Sequence, residues 1–174
     1  FDFGAASTVG ATLTYDALAG DGVAIGGRVW TGFPGQVSKI TGVSGTNLGD
    51  NISFGNSGDG SKGFLIDARD GIDFIFGGKG GDTINAGAGN DVLRGGGGAD
   101  DLTGGAGSDL FYFTARDLTG GAIDKVNDGG LSTTDLIRID GAQYYQLAVS
   151  ATAGGARIAF DGGQGFIDAL GVGT

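Results

Sequence analysis

Five apolar residues, Ile75, Ile84, Leu93, Leu102 and Phe111, stand nine positions apart, and two residues before each is an aspartate: Asp73, Asp82, Asp91, Asp100 and Asp109. The residues on either side of each apolar position vary, so the last three of every nine read as a short strand with its middle side chain turned inward. The six that precede them are rich in glycine and predict a wide turn. Two such units make one flattened coil of turn, strand, turn, strand. The next coil would stack on it at about 4.8 Å, making residues eighteen apart vertical neighbours. Asp73, Asp91 and Asp109 would then form one column, and Asp82 and Asp100 another. The clock reappears upstream in GTNLGDNIS, with Asp50 and Ile52, but Phe54 to Asp67 breaks the register by five residues. That stretch is expected to be an irregular coil or small insertion, leaving the coil before Asp82 without a partner, because Phe64 stands eighteen residues earlier.

On either side of the clock the pattern shortens to strand-like runs between turn residues. Upstream are ATLTYDAL, VAIGGRVW and QVSKITGV; downstream are AIDKV, DLIRID, YYQLAVS, ARIAFD and GFIDAL. Helical patterning is scarce, with one short start possible near Arg116. The expectation is an all-β chain forming one stack: irregular coils or capping strands over 1–44, a repeat block over 45–112, and a strand flank over 113–174. Trp30, Phe33, Tyr144 and Tyr145 are expected to cover the ends of the stack, with a sugar-stacking or partner-binding surface as the other reading. Arg69, Arg94, Arg116, Arg138 and Arg157 are scattered and are expected to balance the acidic turns as a solvated face.

Composition narrows the chemistry. Of 174 residues, 41 are glycine; all 20 acids are aspartate, and the net charge is −10. Aspartate favours turns, whereas glutamate is the ordinary acid of helix surfaces. Nucleic acid would be repelled by this charge, and a small hard cation is the expected partner. The absence of His and Cys excludes the usual zinc ligands, thiol nucleophiles, imidazole triads and disulfides. No run of about eighteen apolar residues is present, so no transmembrane segment is expected. The opening FDFGAASTVG lacks a basic region followed by a long apolar core, so it is not expected to be a signal peptide, and the chain, which contains no Met, is expected to be part of a longer product.

Stacked carboxylates repel, and ordering the glycines costs roughly 1–2 kcal/mol of backbone entropy per residue. A divalent cation between successive turns would reverse the repulsion. Calcium accepts six to eight oxygens, carbonyls among them, in forgiving geometry, whereas magnesium demands tighter octahedra and keeps its waters. Sites of about 10⁻⁴ M would each contribute roughly 1.4 kcal/mol at about 1 mM calcium and almost nothing at submicromolar levels.

These residues resemble the RTX (repeats-in-toxin) calcium-binding family, whose repeat is G-G-x-G-x-D-x-U-x. GGKGGDTIN, GGGGADDLT and GGAGSDLFY match it fully, AGAGNDVLR departs only at Ala86, and ARDGIDFIF lacks the leading glycines. The resemblance implies a right-handed parallel β-roll or β-solenoid, several calcium ions at the turns, and export by a type I system that reads an uncleaved C-terminal signal. It also implies that carbonyls around Gly78, Gly80, Gly87, Gly89, Gly96 and Gly98 join Asp50, Asp73, Asp82, Asp91, Asp100 and Asp109 as ligands. The site between the Asp73 and Asp91 turns is expected to be altered, and GFIDALGVGT to stop short of a full secretion signal.

Other readings carry less. An EF-hand-like loop at DARDGID lacks flanking helices and a closing Glu. Asp100 and Asp101 are adjacent on a strand and would face opposite ways, so they do not read as a catalytic pair. No phosphate-binding G-x-x-x-x-G-K-[ST] occurs. The chain is therefore expected to be a non-enzymatic calcium-binding module, extracellular or on the cell surface, that folds on calcium and displays or supports a secreted partner. The alternative is a calcium-dependent self-assembling unit of an S-layer, filament or biofilm matrix. Below both stands an accessory module of a secreted hydrolase or adhesin that uses its aromatics to bind a ligand such as an extracellular polymer.

Overall fold

The computed structural model describes residues 11–14, 22–25, 28–31, 41–54, 63–119, 122–127, 135–141, 147–152, 155–160 and 165–170. All regular structure among them is β. The strands are β1 (Ala11–Thr14), β2 (Gly22–Ile25), β3 (Arg28–Thr31), β4 (Gly42–Ser44), β5 (Asn51–Ser53), β6 (Leu65–Asp67), β7 (Phe74–Gly78) and β8 (Thr83–Ala88). They continue with β9 (Val92–Gly96), β10 (Asp101–Ala106), β11 (Leu110–Thr114), β12 (Ile123–Asn127), β13 (Leu136–Asp140), β14 (Leu147–Thr152), β15 (Gly155–Phe160) and β16 (Gly165–Leu170).

Successive strands alternate between two sheets. One has the order β13-β11-β9-β7-β5-β1-β2-β3, the other β14-β15-β16-β12-β10-β8-β6-β4. From β4 to β13 every pairing is parallel, so the middle of the molecule is a parallel β-roll of five two-strand coils. Within the regular block Phe74 pairs with Val92, Thr83 with Asp101 and Val92 with Leu110, each eighteen residues apart. The inward row is Val43, Ile52, Ile66, Ile75, Ile84, Leu93, Leu102, Phe111 and Val126, all buried in one core. One aliphatic side chain per three-residue strand leaves a thin core, so the stack relies heavily on what happens at its turns.

The break in register is the five residues read from the sequence, but the irregular stretch is shorter than Phe54 to Asp67. Leu65–Asp67 is a regular strand, with Leu65 eighteen residues from its partner Thr83, so GFLID belongs to the stack. The insertion lies between β5 and β6: only pairings that span it, Asn51 with Phe74 and Gly42 with Leu65, are lengthened to twenty-three residues. At its borders Phe54 and Phe64 stack ring on ring, 3.9 Å between centroids and 12° between planes. The coil before Asp82 does have a partner, because Phe64 occupies the sixth position with an apolar ring instead of a carboxylate.

The stack also reaches past the nonapeptides. β12 continues from β10 and β13 from β11 in parallel. The helix start near Arg116 is only a turn, closed by Asp117 N–H to the Thr114 carbonyl at 2.9 Å. The run VAIGGRVW is two antiparallel strands, β2 and β3. The side chains of Trp30, Phe33, Tyr144 and Tyr145 lie outside the described residues.

Position two of each turn in the regular block has a left-handed backbone: Gly78, Gly87, Gly96 and Gly105 have φ between 106° and 131°. In the unit that lacks its glycines this place falls to Arg69, at φ 77°. A non-glycine there costs about 1–2 kcal/mol, part of which glycine gives back as unfolded-state entropy. Arg69→Gly is therefore expected to stabilise the calcium-loaded chain by about 0.5–1 kcal/mol, read as a thermal midpoint raised by about 2 °C. A lowered midpoint would mean that the Arg69 side chain contributes more than the strain costs.

Candidate metal centre

The sixth-position aspartates form two ladders along the turns. In the first, Asp50 N–H donates to Asp73 Oδ1 (2.6 Å), Asp73 N–H to Asp91 Oδ1 (2.8 Å), and Asp91 N–H to Asp109 Oδ1 (2.9 Å). In the second, Phe64 N–H donates to Asp82 Oδ1 and Asp82 N–H to Asp100 Oδ1, both at 2.8 Å. Each carboxylate thus receives the backbone N–H of the coil before it, which fixes its rotamer and turns its other oxygen into its own loop.

Those other oxygens are the decisive feature. Oδ2 of Asp73, Asp82, Asp91, Asp100 and Asp109 is buried and has no hydrogen-bond partner. An orphaned buried carboxylate oxygen is costly unless something else satisfies it. The backbone beside it is bare: a Cβ on Gly77, Gly95 or Gly104 would overlap Oδ2 of Asp82, Asp100 or Asp109. Burial pushes the carboxyls of Asp73, Asp82 and Asp100 up to about 7 and that of Asp91 up to about 6; the backbone N–H bond pulls each down, and a neighbouring carboxylate raises it again, the next in the ladder for Asp73, Asp82 and Asp91 and Asp117 for Asp100. Asp109 is raised for the same reasons.

No group of three or more His, Cys, Asp or Glu side chains among the described residues is gathered as a metal cluster. The donor set is instead one orphaned carboxylate oxygen per turn beside glycine peptide groups that no side chain covers. That fits a hard cation which takes most of its oxygens from carbonyls and water, and calcium does so. Gly78, Gly80, Gly96 and Gly98 lie on the turns that carry Asp82 and Asp100. Gly87 and Gly89 lie on the turn that carries Asp91, between those of Asp73 and Asp109. Gly78 stacks on Gly96 in register, and Gly80 lies against Gly98. The Gly78 carbonyl already accepts the Gly97 N–H at 2.9 Å, which leaves it one lone pair.

Asp50 differs from the rest. Thr46 N–H donates to its Oδ2 at 2.6 Å and the Thr46 hydroxyl to its Oδ1 at 2.9 Å, so it closes a local turn at the head of its ladder. The ladders also run on at the other end. Asp100 N–H donates to Asp124 Oδ1 (3.0 Å) and Asp109 N–H to Asp135 Oδ1 (2.9 Å). Burial raises the Asp124 carboxyl to about 7 as well. A faint signal was present, since TGGAIDKVN and GLSTTDLIR keep Asp sixth and Val or Ile eighth. Asp101, by contrast, is exposed while Asp100 is buried, so the two do not converge.

Arg94 departs from the solvated face expected of the arginines. Its guanidinium lies 4.5 Å over the Phe76 ring and donates through Nε and one Nη to both oxygens of buried Asp117, each at 3.0 Å. Asp117 also accepts the Thr114 N–H at 2.8 Å. The pair fastens the six-residue excursion after β11 back onto β9. Arg157 is likewise held by Asp168, and Arg138 by Asp140 in a more exposed pair.

A stack of glycine turns, each aiming one unsatisfied carboxylate oxygen into its loop, defines a calcium-binding repeat module. The family model of the RTX calcium-binding nonapeptide repeat matches residues 65–92 and 76–111, four copies in all. Repeats of this family bind several calcium ions and are structural rather than catalytic. No curated protein matches the chain. No helix among the described residues is long and apolar enough to cross a membrane.

Proposed function

We propose that this chain is an extracellular, non-enzymatic β-roll that stays loose at cytoplasmic calcium, folds on meeting extracellular calcium after type I export, and then serves as a structural or display module. The five buried, unpartnered Oδ2 atoms carry this reading. Without a cation they are a standing penalty; with one they become the strongest contacts in a thin-cored stack. Asp73, Asp82, Asp91, Asp100 and Asp109 would hold the ions, joined by carbonyls around Gly78, Gly80, Gly87, Gly89, Gly96 and Gly98. Asp50, satisfied by Thr46, would cap the first ladder. The ion would supply positive charge where each turn has only acceptors. Around the repeat block at 45–112, residues 1–44 and 113–174 would serve as the two caps.

Far-UV circular dichroism and sedimentation velocity across a calcium titration test this. Between about 0.1 and 10 mM the chain should gain β signal and its frictional ratio should fall, with no change below about 1 μM. A spectrum and shape indifferent to calcium would defeat the proposal.

A further inference from the structure

The residues on either side of each inward side chain point away from both the core and the turns, so neither the roll nor calcium dictates what stands there. Yet the two outer faces differ in kind. On one sheet β7, β9, β11 and β13 carry a row of Phe74, Val92, Leu110 and Leu136 beside a row of Phe76, Arg94, Tyr112 and Arg138. On the other, after Leu65, one row reads Thr83, Asp101, Lys125 and the next Asp67, Asn85, Thr103, Asn127. Phe74 is 55% and Leu136 59% exposed. A continuous apolar strip on one face of a roll whose other face is polar marks a binding surface.

The strip has polar groups where a ligand would need them. Members of both rows line an open groove of about 240 Å³: Asn51, Ser53, Phe74, Phe76, Arg94 and Tyr112. That is smaller than an enclosed small-molecule site, so a ligand would lie along the strip rather than sink into it. Nε and one Nη of Arg94 are engaged by Asp117, and the same atoms of Arg138 by Asp140. Among the described residues the other Nη of each has no protein partner. The Asp117 side chain is 6% exposed against 28% for Arg94, so the groove meets the guanidinium and not its counter-ion.

Shape and charge select the occupant. A stable protein partner needs about 800 Å² on each side, whereas five strands from β5 to β13 make a strip of about 24 by 16 Å. Its backbone groups already pair between strands, so an extended peptide would find no main-chain partners there. A sugar chain needs none: its C–H faces pack on Phe74 and Val92, and its hydroxyls bond to Asn51, Ser53 and the guanidinium groups. Arg94 and Arg138 stand two strands apart, about 9.6 Å. Carboxylates on one side of a flat uronate chain recur every second sugar, close to that distance. Five divalent ions would also cancel the net charge of −10, so the loaded roll no longer repels an acidic polymer.

We propose that the outer face of β5, β7, β9, β11 and β13 binds a linear acidic polysaccharide, with carboxylates on Arg94 and Arg138 and sugar rings along Phe74, Val92 and Leu110. The proposal rests on the calcium-driven folding above, because the face exists only when the roll does.

Fluorescence anisotropy of a labelled hyaluronate oligosaccharide, a uronate chain that calcium does not gel, tests this on the whole chain at about 5 mM calcium. Wild type should bind it, more weakly as salt rises, and should bind an uncharged cello-oligosaccharide at least about tenfold less well. Phe74→Thr and Arg138→Gln alter exposed side chains, so both should fold at the wild-type calcium midpoint, and each should weaken binding about fivefold. Lys125→Gln removes an exposed cation from the opposite face and should leave binding as it was. Wild type that folds with calcium yet ignores the oligosaccharide at about 1 mM overturns the face and leaves the folding reading standing. So does tighter binding of a polyglutamate peptide, which would assign the face to acidic proteins. An equal loss in Lys125→Gln overturns it too, by reducing the contact to diffuse charge. A chain that does not fold with calcium overturns both.

Discussion

Gly107→Ala raises the calcium needed to fold this chain by about fourfold or more, whereas Gly97→Ala, ten residues away, leaves it unchanged or slightly lower. Both are turn glycines, but the turn uses them differently. Gly107 holds φ 136°, and a Cβ there would land on the carbonyl oxygen of Gly89 and 2.6 Å from its carbon. The obstacle is backbone of the next coil and cannot swing aside. Left-handed strain and displacement of a packed neighbour together cost about 4 kcal/mol. Gly97 occupies the variable third position, where other repeats carry Lys79, Ala88 and Ala106. The nearest atom to a Cβ at Gly97 is the Lys79 carbonyl oxygen at 3.8 Å, so alanine fits, and it trims unfolded-state entropy. Five sites above their dissociation constants gain about 7 kcal/mol per decade of calcium, and a 4 kcal/mol loss is recovered by about a fourfold increase. Parallel calcium titrations followed by circular dichroism decide the matter. Equal midpoints for the two variants would mean that the coils are not in the close contact described.

How much of this could be read beforehand depended on whether a residue advertised the nine-residue period. Asp73 to Asp109 and the apolar residue two places after each did, and they give both the coil and the ladder, because a fixed period leaves only one stacking register. Leu65–Asp67 was hidden by Phe64: the expected sixth-position aspartate is an aromatic ring there, and its absence read as a missing coil although the backbone bond to Asp82 is still made. Asp124 and Asp135 were hidden by spacing. They stand 24 and 26 residues from their ladder partners, since extra residues after β11 and before β13 lengthen the count without disturbing the pairing. Arg94 was misread for a different reason. A lone arginine in a periodic block looks solvated, and its partner Asp117 lies in a turn that follows no period at all.

The same buried carboxylates make acidification act in opposite directions on the metal-free and the calcium-bound chain. In the folded, metal-free roll Asp73, Asp82, Asp100 and Asp124 protonate at about 7 and Asp91 at about 6, whereas the ordinary value is 3.8. Burial is the main cause, because the low-dielectric turn penalises the charged form. A folded-state value raised above the unfolded one means the native chain holds more protons across the interval, so its stability falls as pH rises. This contribution is fully present below about 3.8 and is lost as pH climbs through about 6 to 7. In metal-free buffer the chain should therefore gain β structure between pH 8 and pH 5, above its pI near 4.1, where it would precipitate. In calcium the order reverses. Protons compete with the cation for the same Oδ2 atoms, so the calcium midpoint should move to higher concentration as pH falls from 8 to 6, by up to about tenfold per unit for each proton displaced. Circular dichroism at pH 5, 6, 7 and 8, with and without calcium, reads both slopes. A metal-free chain that gains no structure on acidification would show that these carboxylates are not desolvated in the folded turns, and the orphaned oxygens could not then be what drives calcium binding.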